Sequence, residues 1–518
     1  MRQTAPFGFR YQYLAGGVNT GSGWANWNTN GAFVTYYVQD SWAAGITPVF
    51  TYYMIRQSAP GNAQGEATGI ATNLGNISTM TAYWNDLKLF FQRAGSAGGS
   101  VVLHVEPDLW GFVEQRSTSD NAATVPAKVG GTGLAELAGL PDNMAGFGQA
   151  VVRLRNTYAP NVTLAYHLSV WGTGNDIVYT NPTDATVDAL SARAATFFNS
   201  LGANFDVAFS EFSDRDSGFK QYIYGDGGAS WWDAGDFSRN VRFLSKFTSL
   251  TGRRIVMWQI PLGNTKMRAM NNTWDHYQDN RVEWLLDDAT RGHLQEYIGA
   301  GVVAFLFGRG ADGATCACDA AGDGVTNPAA INGNAGTATS RDDDGGFFRQ
   351  RAAAYYATGA MALSGGTTAT PTATSSPPTS TPPTVPPTAT PTTAPATATP
   401  TTATPTPSTT AAWTTSATVS AASVTRGSSV TVTAKVRSSA STTALIDVEV
   451  YDPAGRKVFQ KFYDNRTFVA NTTQAFSPSW TVPTTAAVGT YTVKIGVFKT
   501  GWGKLFSWNN GAATFAVK

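Results

Sequence analysis

Of the 518 residues only two are cysteine, four are histidine and 14% carry a charge. Each scarcity excludes something. Lys and Arg number 36 against 35 Asp and Glu, a net charge of +1, which argues against nucleic acid, an anionic membrane surface or a polyanionic substrate as partner. No stretch of about 18 apolar residues exists, so no membrane-spanning helix is expected. The chain opens on MRQTAPFGFRYQYL, a strand-like run without a signal-peptide pattern, and a processed start with Met1 added is the expectation. HExxH is absent and the histidines are thinly spread, against a His-rich metal centre. No GxSxG elbow is present. No strand is followed by GxGxxG or GxxxxGK(S/T), which leaves nucleotide binding without its signature. Cys316 and Cys318 flank one alanine. A bridge there closes a small ring, and two ligands alone make no structural zinc site. A local disulfide and two free thiols both stay open.

What is present is modular. Residues 364–412 are almost entirely Thr, Pro, Ala and Ser, a composition that cannot bury enough apolar surface to offset its ordering entropy. A disordered, semi-rigid polyproline-type linker is expected there. It separates residues 1–363 from residues 413–518, where period-two alternation (SVTVTAKV, LIDVEVYD, GTYTVKIGVF) predicts an all-β Ig-like sandwich. A large domain tethered to a small β-rich one is the layout of secreted enzymes that attack insoluble polymers, because the tether raises effective concentration. A stalk on a surface protein is the plainer alternative.

In the large domain, short apolar runs alternate with amphipathic helices. Strands are predicted at Phe7–Leu14, Ile46–Ile55, Ser100–Pro107, Val162–Val170, Phe205–Phe212, Arg254–Ile260 and Val302–Phe307. Seven such units predict a TIM-like (β/α)7–8 barrel, with its functional residues where strands end.

That rule gives a short list. The strand VVLHV delivers Glu106, Pro107 and Asp108, and alternation would put His104, Glu106 and Asp108 on one face. Carboxylates facing into a barrel are costly unless used or paired; a carboxylate that caps backbone amides is the structural alternative. A second strand delivers Glu211, followed by Asp214, Arg215 and Asp216. Other strand ends supply Tyr53, His167, Trp171, Trp258, Gln259 and Arg309, with Trp110 close behind the first carboxylates. Aromatic faces beside carboxylates and amides suit pyranose rings and their hydroxyls. Glu106 and Glu211 are expected as the acid/base pair, and Asp108, Asp214 and Asp216 as alternates or pKa tuners. Asp319 and Asp323 lie in a Gly-containing acidic loop like those that hold calcium. In the small domain Trp502 and Trp508, with Phe506 between them, are expected to stack on sugar.

The segment VEPDLWGFV resembles the strand-end IEPDSLANLV of the inverting cellulase family with a seven-stranded distorted barrel. FSDRDSGF resembles that family's LPDRD segment, which carries its general acid, although here the two segments stand in the opposite order. Glu106-Pro107 also resembles the Asn-Glu-Pro of retaining barrel glycosidases, with Val105 in place of Asn. The chain thus resembles a modular secreted bacterial glycoside hydrolase. The resemblance implies a monomer that cleaves a β-linked polysaccharide, with no required cofactor beyond a structural calcium, and a carbohydrate-binding C-terminal module. The alternative is a non-catalytic polysaccharide-binding surface protein on a barrel fold.

Overall fold

Strands whose residues are apolar on both faces need cover on both sides, and parallel sheets supply it. The computed structural model describes residues 7–363, 412–453, 457–499 and 505–518. The expected linker falls on residues 364–411 and Trp502 on 500–504, outside the described residues. The chain divides into two compact units at the Gly366–Thr367 boundary.

The first unit is built on β1 (Phe9–Leu14), β2 (Thr47–Tyr52), β3 (Val101–Val105), β4 (Val162–His167), β5 (Val207–Glu211), β6 (Arg254–Ile260) and β7 (Val302–Phe307). They lie side by side in sequence order, and every neighbouring pair is parallel. Helices connect them, including Ile77–Ala97, Met144–Tyr158, Asp184–Ser200 and Ala234–Thr251. One face of the sheet (Phe50, Tyr52, Leu103, Tyr166, Ala208, Met257) packs into the main core with the helices' apolar stripes. The other face (Val49, Ala165, Phe209, Val256, Trp258, with Tyr11 and Tyr13) packs on itself.

That self-packing requires curvature. Tyr13 on β1 donates to Gln259 Oε1 on β6 at 2.7 Å, and Tyr11 meets the Trp258 ring edge-on. A Cβ on Gly308, just after β7, would lie 2.4 Å from the Tyr11 hydroxyl oxygen, so only glycine lets the first and last strands approach this closely. No ladder joins β1 to β7 among the described residues. The observed architecture is therefore a curled seven-stranded parallel sheet, and the closed barrel with an eighth strand is not seen among them.

Two helices escaped the sequence reading, Glu66–Gly75 and Leu109–Arg116. Between β6 and β7 the chain forms two short helices, Arg281–Leu286 and Gly292–Gly299, in place of one long one. Between them Asp288 accepts from the backbone amides of Thr290 and His293, and Arg291 takes φ +58°, which breaks the helical ladder. Cys316 and Cys318 are joined as a disulfide.

The second unit is all β. β8 (Trp413–Val419), β10 (Ser429–Ser438), β13 (Thr473–Phe476) and β14 (Ser479–Thr481) form one sheet; β9 (Ser423–Val424), β11 (Thr442–Tyr451), β12 (Lys457–Phe468), β15 (Gly489–Phe498) and β16 (Leu505–Val517) form the other. Alternate residues of β10 and β11 (Val430, Val432, Ala434; Ile446, Val448, Val450) share one core.

Candidate active site

The strand-end rule holds at the mouth of the curl. A cavity of about 630 Å³ opens there, lined among others by Tyr13, Tyr53, Asp108, Trp171, Glu211, Asp214, Trp258 and Gln259. Its carboxylates come from two places. Asp108 follows β3 after the chain has left extended geometry, with φ +47° at Glu106 and +64° at Asp108. Glu211 is the last residue of β5. Gln259 near the end of β6 also has a positive φ, +54°. Non-glycine residues pay for such backbone angles, and they cluster at functional sites.

Both Asp108 and Glu211 are pushed above the ordinary carboxylate range. Burial, then the charge of Glu211, then Glu66, Asp214 and Glu106, push the Asp108 carboxyl well above its ordinary value. Burial and then Asp214 raise Glu211 to about 7, against the opposing pull of the Lys220 ammonium and a hydrogen bond from Trp171. Two like charges in a dry cleft disfavour double ionisation. Asp108 has only carboxylates around it, whereas Glu211 has a cation and an indole donor, so the shared proton belongs on Asp108.

The remaining candidates separate into wall, floor and anchors. Trp171, Trp258, Tyr53 and Gln259 are wall residues. Tyr53 donates to Glu66 at 3.0 Å. Asp214 is in the wall, paired with Arg215 and, at 3.4 Å, with Lys220. His104 and His167 are fully buried under the cavity and do not line it. Glu106 is not in the lining either. Its buried carboxylate accepts the backbone amides of Met54 and Ile55, both at 3.1 Å from Oε1. It thus pins the loop after β2. Burial raises it to about 8, and those amides with the Tyr83 hydroxyl oppose the rise. Asp216 is a second anchor. It accepts from Gly263 and Thr315 amides, each at 2.7 Å. Trp110 is core: its indole donates to the Val105 carbonyl at 2.8 Å, and its ring packs on Phe147, Tyr166 and Phe205. Arg309 pairs with Asp275 at 2.7 Å, away from the lining.

Sequence reasoning passed over Tyr13, Glu66, Asp176 and Lys220, all of which line the cavity. The strand-end rule applied to β1 points directly to Tyr13. Glu66 and Asp176 lie too far beyond their strands for that rule to reach them.

Of the two acidic-loop residues, Asp323 meets His276 Nε2 at 3.1 Å, while Asp319 turns back to the amide of Gly324 at 3.2 Å. His276, Asp323 and Asp343 present donor atoms within 4.8 Å of one another. The trio could hold a metal ion; its two carboxylates are donors of the kind calcium takes, and its imidazole nitrogen is not.

In the second unit Gly496 on β15 is paired with both Asp447 and Trp508. A Cβ on Gly496 would come within 2.6 Å of the Trp508 ring, so the indole lies over the glycine on the sheet face away from the core.

No protein-family model matches the chain, and no curated protein matches it. Among solved structures it is similar to a calcium-binding mutant of Bacteroides uniformis β-glucuronidase 2, at 6% identity and a TM-score of 0.30, covering 99% of this chain and 42% of that one. It is similar to β-glucosidase 3B from Thermotoga neapolitana at 16% identity and a TM-score of 0.15, covering 21% of this chain and 16% of that one. It is also similar to the CARDB domain of a Pyrococcus furiosus protein at 14% identity and a TM-score of 0.16, covering 21% and 87%. Among the described residues no helix is long and apolar enough to cross a membrane.

Proposed function

We propose that this chain is an extracellular glycoside hydrolase, acting as a monomer on a β-linked polysaccharide, with Asp108 and Glu211 as its two working carboxylates. The observation that carries the reading is that these two groups line one aromatic-walled cavity and that both are pushed above the ordinary carboxylate range there, Asp108 in part by the charge of Glu211. Glycosidic cleavage needs one protonated and one ionised carboxyl at the same site and the same pH. Asp108, surrounded by negative charge, serves as the general acid that protonates the leaving oxygen. Glu211, supported by Lys220 and Trp171, stays ionised and acts as nucleophile or as base toward water. Trp171, Trp258 and Tyr13 offer ring faces to the sugar, and Gln259, Tyr53 and Asp214 offer hydrogen-bonding groups to its hydroxyls. Asp214, tied to Arg215 and Lys220, tunes the pair. The second unit is read as an Ig-like carbohydrate-binding module with Trp508 as its stacking surface.

The test is reducing-sugar release from a panel of soluble and insoluble polysaccharides, followed by NMR of the anomeric proton in the first product. Release that disappears in Asp108→Asn and in Glu211→Gln supports the reading. Binding to polysaccharide with no release from any member of the panel refutes the enzymatic reading and favours a binding protein.

A further inference from the structure

Under Glu211 the concave floor holds a line of polar groups that the chemistry above leaves unused. Thr51 on β2, His104 on β3 and His167 on β4 are fully buried. Thr51 Oγ1 lies 3.3 Å from His104 Nδ1, and His104 Nε2 lies 2.9 Å from His167 Nδ1. The last nitrogen, His167 Nε2, has no hydrogen-bond partner; Glu211 Oε1 is 3.9 Å from it. The surroundings are aromatic. The two imidazoles stack on each other, His104 stacks on Phe209, and both meet Trp258 edge-on. Burial holds both rings neutral, with His167 brought down to about 3 and His104 well below its ordinary value.

A neutral imidazole has one N–H and one lone pair. One proton therefore lies between His104 Nε2 and His167 Nδ1, and its owner decides every other position in the line. If His167 Nδ1 held it, His167 Nε2 would aim a bare lone pair at the Glu211 carboxylate, and His104 Nδ1 would be the donor to Thr51. If His104 Nε2 holds it, His104 Nδ1 accepts from the Thr51 hydroxyl and His167 Nε2–H points at Glu211. Only the second arrangement gives an ionised carboxylate a donor from beneath.

We propose that His104 and His167 are positioning residues. Thr51 fixes the tautomer of His104, His104 fixes that of His167, and His167 presents an N–H to Glu211 that holds its ionised form and orients Oε1. The catalytic consequence rests on the role given to Glu211 above; the tautomers themselves do not. Other groups also face Glu211: Asp108 from the loop after β3, Asp176 from the loop after β4, Asp214 and Lys220 from the segment after β5, Trp171, and Tyr13 from β1. These set where it titrates. Tyr13 already donates to Gln259, whereas His167 Nε2, 3.9 Å from Glu211 Oε1, has no other partner.

The chain has only four histidines, so ¹⁵N-histidine labelling of the whole protein gives a spectrum that resolves each ring. His276→Gln and His293→Gln, far from the floor, assign the two outer rings and leave the buried pair by elimination. Above the Glu211 titration the expected result is two neutral rings, both protonated at Nε2. An Nδ1–H tautomer in either buried ring, or a charged imidazolium there at neutral pH, overturns the proposal. This readout needs no substrate, so it stands or falls apart from the hydrolase reading. With substrate in hand, His167→Leu should move the acid limb of kcat/KM upward by roughly one pH unit, since a hydrogen bond to the charged form lowers a pKa. His167→Gln, which restores an N–H, should recover part of that shift. An acid limb that stays in place in the folded His167→Leu protein also overturns it.

Discussion

Exchanging Glu106 and Asp108 for their amides should have opposite consequences, although the residues are two apart. Glu106 Oε1 lies 3.1 Å from the Met54 and Ile55 amides, and Oε2 lies 3.3 and 3.2 Å from the same pair. In Glu106→Gln one oxygen can still accept both N–H groups, but the new NH2 must face the same two donors in a fully buried site. An unmet buried donor costs about 1–3 kcal/mol. For a domain of this size that is roughly 1–4 °C in Tm by the size scaling of unfolding entropy. Catalysis should survive in the folded fraction. Asp108→Asn changes little in shape, and asparagine tolerates the positive φ of this position. Burial and the charges of Glu211, Glu66 and Asp214 favour the protonated Asp108, so a neutral amide replaces a neutral acid and Tm should hold. The exchange also removes the proposed acid, and general-acid contributions are about 10²–10⁴-fold. Differential scanning fluorimetry paired with initial rates on soluble glycan reads both quantities. If Glu106→Gln melts like the parent but loses turnover while Asp108→Asn stays active, the assignment of anchor and acid is reversed.

Four further outcomes are expected. Glu211 is raised from 4.5 to about 7, so the folded chain binds that proton more tightly than the unfolded one, and this contribution to stability is lost as pH rises from about 4.5 to about 7; urea titrations should show the slope and Glu211→Gln should remove it. A chain ending at Leu363 should keep its rate on soluble glycan and lose part of it on insoluble material, which a paired assay with the whole protein will show. Trp508→Ala should weaken pull-down by insoluble polysaccharide severalfold with an unchanged circular dichroism spectrum, given about 0.5–1.5 kcal/mol per aromatic contact. Since His276 and Asp323 satisfy each other directly, EDTA should leave Tm unchanged, and a fall of several degrees would reveal a bound cation.

The sheet was legible because parallel strands are apolar on both faces: Arg254–Ile260 and Val302–Phe307 end where expected. β2 stops at Tyr52 rather than Ile55 because the buried Met54 and Ile55 give their amides to Glu106 and not to a ladder. Alternation also failed just past β3. Counting every second residue assumes extended backbone, and positive φ at Glu106 and Asp108 sends one carboxylate down to the loop and the other into the cavity. Nothing in a carboxylate's sequence position tells whether amides already occupy its oxygens, which is why Glu106 looked as available as Glu211 and Asp216 stood among the alternates. The histidine pair was hidden for a related reason: His104 and His167 sit 63 positions apart, and only the lateral order of β3 and β4 makes them neighbours.

The bond between Tyr13 and Gln259 spans 246 positions of chain. Neighbouring strands in this sheet are separated by one helical connection and can pair as soon as both exist. The Tyr13 contact has no such local route. During synthesis β1 emerges first, yet its hydroxyl cannot find its acceptor until six of the seven strands have been made, and loop closure over that span must wait for the sheet to curl. The first strand is thus made before the other six of its sheet and is among the last to be locked. Until then its two tyrosine rings lie open to whatever is nearby, beside an edge that no described strand pairs even in the finished sheet, so this step is an interval in which the domain is open to misassembly.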